Sequence, residues 1–270
     1  MDNEEFGRLI RQYGEELYRD MPWRQDTRPY YVLVSELMLQ QTQVDRVIPK
    51  FEAFIRTFPD EHVLADASLA DVLRQWQGLG YNRRAKFLHE SAKKIVGLGQ
   101  FPDEAAGLLD LPGVGKNTAG ALLAYAYNKP AIFIETNVRA VYIHHFFAEN
   151  ELVDDTQIVQ KMQETVPWRE PGELGYGPRA FYWALMDYGS YLKRQGVLPS
   201  RSRHYKKQSP LKGSVREIRG QIIAELTNGD RSKAQLGQAI VIDDRFEPAL
   251  TGLVNDGLVT VQGSRIHLTK

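Results

Sequence analysis

The chain contains no cysteine. That absence excludes disulfides, thiolate zinc sites and cysteine-ligated iron–sulfur clusters. It has no surplus of charge either: 34 Lys and Arg are balanced by 34 Asp and Glu. A neutral sum argues neither for nor against a nucleic-acid partner, because the clustering of charges decides that. No apolar run approaches membrane-spanning length, and the opening MDNEEFGRLIRQYGEE reads as a charged helix rather than a secretion signal. A cytoplasmic protein with no membrane partner is therefore expected. What the chain does have is 43% apolar residues over 270 positions, enough for one large core or two.

The organising stretch is Leu111-Pro112-Gly113-Val114-Gly115-Lys116-Asn117-Thr118. Before it, residues 103–109 are acidic at the start and apolar at the end, as in a short helix after Pro102. After it, Thr118 to Tyr127 reads as a compact apolar helix stopped by Asn128 and Pro130. The Pro-Gly-x-Gly between them places glycines where the chain takes positive φ or lets another backbone approach. Together these predict a helix-hairpin-helix, whose outward amides at Gly113, Gly115 and the first turn of the second helix can hold a phosphate. A nucleotide phosphate loop fits poorly, because it wants Gly at Asp110 and Ser or Thr at Asn117. A purely structural interhelical turn is the fairer rival.

Elsewhere, Phe6, Leu9, Ile10, Tyr13 and Leu17 recur at helical spacing. Helices are expected over about 30–39 and 43–58, and a single one from Leu64 to Trp76 with Ser68 as a cap. Glu36 lies inside the apolar run 32–39, where a carboxylate must be paired, face a cavity or carry a raised pKa, unless it sits on an exposed helix face. Gln40, Gln41 and Thr42 follow at the helix end. Gly78-Leu79-Gly80-Tyr81 is a second glycine turn, followed by the basic Asn82-Arg83-Arg84-Ala85-Lys86; cations around an exposed aromatic suit a nucleic-acid surface. A second carboxylate, Glu135, ends the apolar run 131–134, with Thr136 or Asn137 as a possible cap for the next helix. Further helices are expected over 155–166 and 178–192.

From Lys193 to Arg219 nine Lys or Arg accompany one Glu, with Pro199 and Pro210, which reads as a basic, poorly ordered connector. The last sixty residues suggest three helices (215–226, 232–239, 244–256) and a β-hairpin turning at Gln262-Gly263-Ser264. That is the pattern of a winged helix.

With MPWR (21–24), SELMLQQTQV (35–44), GLGYNRRAKFLH (78–89), LPGVGKNTAGALLAYAY (111–127), ETNVRAV (135–141) and FYWALMDYGS (181–190) in this order, the chain resembles the helix-hairpin-helix DNA glycosylases, and within them the MutY-type adenine glycosylases. The resemblance covers residues 1–192. It implies an all-α, two-lobed glycosylase domain (1–192), after which the composition and element pattern place a basic linker (193–213) and a small C-terminal winged-helix domain (214–270). It also implies hydrolysis of the N-glycosidic bond of a flipped base in duplex DNA carrying a mispair or lesion, adenine opposite guanine or 8-oxoguanine first of all, by a monomer associated with the nucleoid. Glu36 would be the general acid and Glu135 the partner that stabilises the sugar cation and activates water. Gln40, Gln41, Tyr81, Arg83, Gly113, Gly115, Lys116 and Asn117 would contact DNA, with Tyr81 as a wedge beside the opposing base; Arg24 and Trp183 would line the base pocket.

Four departures accompany the resemblance. Glu135 stands where the family has Asp. Asn117 stands where bifunctional relatives carry a Schiff-base lysine, so imine chemistry is not expected there. The four cluster cysteines correspond to Lys193, Ser200, Arg203 and Ser209, so no cofactor is expected. Trp183 replaces a Gln or Glu that touches the base, and the C-terminal segment is not the oxoguanine-reading domain. A DNA-binding protein without catalysis, and a lyase acting through Lys116, are the competing functions.

Overall fold

The computed structural model describes residues 1–149, 152–167, 176–197, 201–203 and 209–269. The described chain is mostly helical. α1 (Asn3–Glu16) starts where the Asp2 carboxylate accepts the Glu5 N–H, and buries Phe6 and Ile10. α2 (Pro22–Gln25) is a single turn, and α3 (Pro29–Leu39) is the expected apolar helix. α4 (Val44–Thr57) follows. The helix expected from Leu64 to Trp76 is in fact two, α5 (Glu61–Asp66) and α6 (Leu69–Gln75). The Ser68 hydroxyl accepts the Asp71 N–H, as expected of a cap, but an N-cap needs extended backbone and so cannot sit inside a continuous helix. The freed Ala67 carbonyl is taken by His89 Nε2 at 2.9 Å.

α7 (Arg83–Leu98) ends on Gly99 at φ +73, the left-handed stop that glycine takes without strain. α8 (Ala105–Leu109) and α9 (Lys116–Tyr125) flank the Pro-Gly-Val-Gly turn; α9 begins two residues earlier than the apolar pattern suggests, with Gly115 as its N-cap. α10 (Thr136–Phe146), α11 (Asp155–Thr165, with an Asp154–Gln157 capping box) and α12 (Pro178–Arg194) complete the helices that precede the basic connector. The C-terminal segment holds α13 (Val215–Thr227), β1 (Arg231–Ser232), α14 (Lys233–Ala239), α15 (Phe246–Asn255), β2 (Val259–Gln262) and β3 (Arg265–Leu268). The expected hairpin is β2–β3, turning at Gly263 with φ +59, and β1 adds a strand on its other side, so the antiparallel order is β1-β3-β2. Two residues are too few to show a sequence period, which is why this strand was not legible.

The chain divides into two compact units, each discontinuous: 1–32, 102–110 and 114–207 form the first, and 33–101, 111–113 and 208–270 the second. The first is built around aromatic contacts. Phe6 of α1 lies 5.2 Å from Tyr142 and 4.8 Å from Phe146, and Phe133 stacks on Tyr182 at 4.0 Å. The second buries Phe51, Phe54 and Trp76, with Phe54 edge-on to Trp76 at 6.1 Å. Its C-terminal elements have a core of their own from Ile222, Leu236, Phe246 and Leu253. Among the described residues no helix is long and apolar enough to cross a membrane.

Candidate active site and nucleic-acid interface

In the second unit, residues 33–38 of α3 are buried at every position except Glu36, which is half-buried. A carboxylate is thus presented from an otherwise apolar helix. The turn that follows is held by a residue the sequence reading passed over. Arg84, buried in α7, donates to the carbonyls of Leu37 at 2.7 Å and Met38 at 2.9 Å, and also to that of Gln40. Its other terminal nitrogen reaches Thr42 Oγ1 at 3.2 Å and the carbonyls of Leu79 at 3.1 Å and Gly80 at 3.0 Å. One guanidinium therefore gathers the end of α3 and the glycine turn, the fork geometry that lysine lacks. Burial pushes Arg84 down to about 10.

That clamp brings the Gln40–Gln41 turn and the Tyr81 turn together. Gln41 at φ +58 and Tyr81 at φ +48 both take left-handed backbone, which costs a non-glycine residue on the order of 1–2 kcal/mol and is found where surrounding structure imposes it. Gln41 is exposed and Tyr81 half-buried. Arg83 is exposed, lies over the Phe87 ring at 5.3 Å and pairs with Asp256 at 3.4 Å, so this DNA-contact candidate already has an acidic partner.

The hairpin turn is fixed on α7: Ser91 Oγ donates to the Pro112 carbonyl at 2.8 Å, and Gly113, at φ +77, sits where a Cβ would come within 2.7 Å of Phe87 Cβ. Only glycine fits there. Gly115 differs from the expectation for these glycines, since its φ is −91 and a Cβ would meet nothing within 4 Å. It is exposed, as are Lys116 and Asn117.

In the first unit, Glu135 is the N-cap residue of α10, yet its side chain makes no capping hydrogen bond. Burial pushes its carboxyl above the usual range, against the pull of Arg139 and then Lys193. Arg139 is itself held by Asp155 through contacts of 2.8 and 2.7 Å. Lys193, in the last turn of α12, is pushed down by burial and by Arg19, while Glu135 pulls it up. Asn117 reaches the same segment: Nδ2 donates to the Ile134 carbonyl at 2.9 Å, and Oδ1 accepts the Ile134 N–H at 3.4 Å. The amide where bifunctional relatives have lysine thus grips the residue before Glu135. Gly189 of α12 abuts the backbone of Asn137, fixing the first turn of α10.

Arg24 and Trp183 are also brought together. Arg24 is buried, donates to both Asp187 oxygens at 2.6 and 3.0 Å, and lies 5.2 Å from the centre of the Trp183 ring. Trp183 is half-buried and stacks with Tyr125 at 6.4 Å. Asp187, two residues before Gly189, was not singled out in the sequence; its partners lie more than 160 positions away.

The basic connector is more ordered than its composition suggests where it is described. Arg201 accepts the Val153 N–H at 2.8 Å through its carbonyl, and its side chain donates to Phe147 and Ala148 carbonyls at 2.7 and 2.8 Å. Arg203 N–H donates to the Val153 carbonyl at 3.1 Å, and Ser202 is buried. Backbone pairing with Val153, invisible to composition, explains the order. Ser200 lies outside the described residues. The residues do not fit an iron–sulfur cluster: no cysteine exists in the chain, and Lys193 brings a cation to the first ligand position.

Residues 34–167 match the HhH-GPD superfamily of base excision DNA repair proteins. The chain is 34% identical to the adenine DNA glycosylase of Mycobacterium tuberculosis over 90% of its own length and 86% of that protein. It is 35% identical to the adenine DNA glycosylase of Buchnera aphidicola subsp. Baizongia pistaciae over 64% of its length, but spans only 48% of that relative, about half. Among solved structures, a thermostable thymine-DNA glycosylase superposes with a TM-score of 0.61 at 26% identity, over 70% of this chain and 86% of the other. With the match to the mycobacterial protein running through nearly the whole of both chains, this chain belongs to the adenine DNA glycosylase family of the HhH-GPD superfamily.

Proposed function

We propose that the protein is a monofunctional DNA glycosylase that hydrolyses the N-glycosidic bond of adenine mispaired with guanine or 8-oxoguanine in duplex DNA. The observation that carries this is Glu36, the single position not buried in the apolar stretch 32–38, on the helix that leads into the Gln40–Gln41 turn. In this reading Glu36 protonates the departing base, and the bond breaks toward an oxocarbenium-like sugar. Glu135 supplies the negative charge that stabilises that cation and takes the proton from the attacking water. Trp183 offers the base an aromatic face, with Arg24 and Asp187 as its support. Gln41 and Tyr81 enter the duplex, and the amides at Gly113, Gly115 and Lys116 hold a backbone phosphate. The C-terminal segment is read as a winged helix, and Asn117 as a clamp on the Glu135 segment.

The test is single-turnover base release from duplexes carrying adenine opposite guanine, 8-oxoguanine, cytosine or thymine, with oxidised and alkylated bases alongside. Adenine released from the first two duplexes is the expected result. Binding to mispairs with no base released from any duplex would leave a lesion-binding protein, the reading that Glu135 in place of Asp favours.

A further inference from the structure

The C-terminal segment sends one arginine onto the residue read above as the wedge. Arg216, in the first turn of α13, donates from one terminal nitrogen to the Tyr81 hydroxyl, and its guanidinium carbon lies 5.3 Å from the centre of the Tyr81 ring. The other terminal nitrogen is anchored on the Ser209 carbonyl at 2.7 Å. Helix α13 is in turn fixed at its start: Ser214 caps it, and Glu217 Oε2 accepts the Gly213 N–H at 2.8 Å and pairs with Arg245 at 3.2 Å. Arg216 therefore reaches Tyr81 from a rigid base.

Two further ties link the same stretch to the C-terminal segment. Lys86 donates to the Asp256 carbonyl at 2.8 Å, and the Asp256 carboxylate pairs with Arg83 at 3.4 Å. Packing between these parts of the unit has other anchors as well, such as Arg74 on the Thr227 carbonyl at 3.3 Å. A cation placed on a half-buried tyrosine is not needed for that packing. Tyr81, however, stands at φ +48, a conformation its side chain disfavours. Arg84 lies over the ring at 5.4 Å, and Arg216 donates to the hydroxyl end.

We propose that Arg216 is a positioning residue for DNA distortion: it holds the Tyr81 ring in the orientation from which it enters the duplex, which makes the C-terminal segment part of the lesion-recognition apparatus. This rests on the reading of Tyr81 as the wedge.

The test uses the full chain and a duplex with one adenine·guanine mispair carrying 2-aminopurine beside the guanine, whose fluorescence rises when the stack opens. Wild type, Arg216→Ala, Arg216→Lys, Tyr81→Ala and the Tyr81→Ala/Arg216→Ala pair are compared for fluorescence change, equilibrium binding and single-turnover release. Loss of Arg216 is expected to remove most of the fluorescence rise and slow release on the order of tenfold, the scale of one lost specific contact. Arg216→Lys restores charge without the fork and recovers only part. In the Tyr81→Ala background the arginine substitution adds nothing. A full fluorescence rise in Arg216→Ala, or effects of the two substitutions that simply add, would overturn the proposal. If Arg216→Ala fails to fold, Arg216→Lys carries the same comparison. Failure of the glycosylase reading is separate: it shows as no base release by wild type, while the fluorescence arm still reports whether Tyr81 and Arg216 act together.

Discussion

Gly189 presses on the backbone of Asn137: a Cβ built on the glycine would overlap the asparagine carbonyl and stand 2.7 Å from its carbon. Backbone cannot swing aside as a side chain can, so α10 would have to move, and Glu135 sits one residue before it. Gly189→Ala is expected to cost about 1–3 kcal/mol, the range for overpacking a filled interior. It should also slow base release more than the lost stability explains. Chemical denaturation and single-turnover kinetics on the same preparation check it; a fully active, equally stable variant would show that the contact relaxes freely.

Glu36→Gln keeps the shape and removes the proton. Base release should fall by at least about a hundredfold, the scale of general acid catalysis, with mispair binding retained. Turnover near wild type would remove Glu36 from the mechanism.

Glu135 offers a pH signature. Its folded-state carboxyl is raised above the ordinary value of 4.5 by burial, so the folded chain binds this proton more tightly than the unfolded one. The favourable contribution of the neutral form is complete below 4.5 and is lost as pH rises through the folded pKa. Glu135→Gln should therefore melt with wild type near about pH 4 and above it near about pH 8, while base release is lost at both. Because the side chain makes no capping hydrogen bond, no loss of stability is expected to offset this. A Gln variant that is less stable at every pH would mean the carboxylate supports the fold.

Arg84→Met would leave the carbonyls of Leu37, Met38, Leu79 and Gly80 without their shared donor. Buried acceptors left unmet cost about 1–3 kcal/mol each and are not additive, so a total of about 3 kcal/mol is expected. Arg84→Lys keeps the charge and should recover only part. Thermal melts of the two variants decide, and identical melts would mean that water replaces the guanidinium.

Much of this was legible because short-range patterns carry it. The apolar stretch around Glu36, the Pro-Gly-x-Gly turn and the cap at Ser68 follow from local chemistry. What was not legible depends on distant partners. Arg83 and Arg84 are neighbours with the same side chain, yet one is exposed and the other buried, a difference set by which faces α3. Asn117 is exposed in the first turn of α9, yet its amide bonds Ile134 seventeen positions on. Arg216 and Tyr81 are 135 positions apart, beyond any spacing argument.

The interleaving of the two units has a consequence during synthesis. Helices α4 to α7 are made before most of the first unit, yet some of their partners in the same unit come far later, Asp256 for Lys86 lying 170 positions further on. At about 5–20 residues per second, a nascent chain waits on the order of ten seconds between residue 101 and the start of α13. Throughout that interval the surface of α6 and α7 that later receives the C-terminal elements stands open on the ribosome. Folding of the second unit is therefore gated by elongation: ribosome stalling between those points prolongs the exposure of that surface, and faster elongation shortens it.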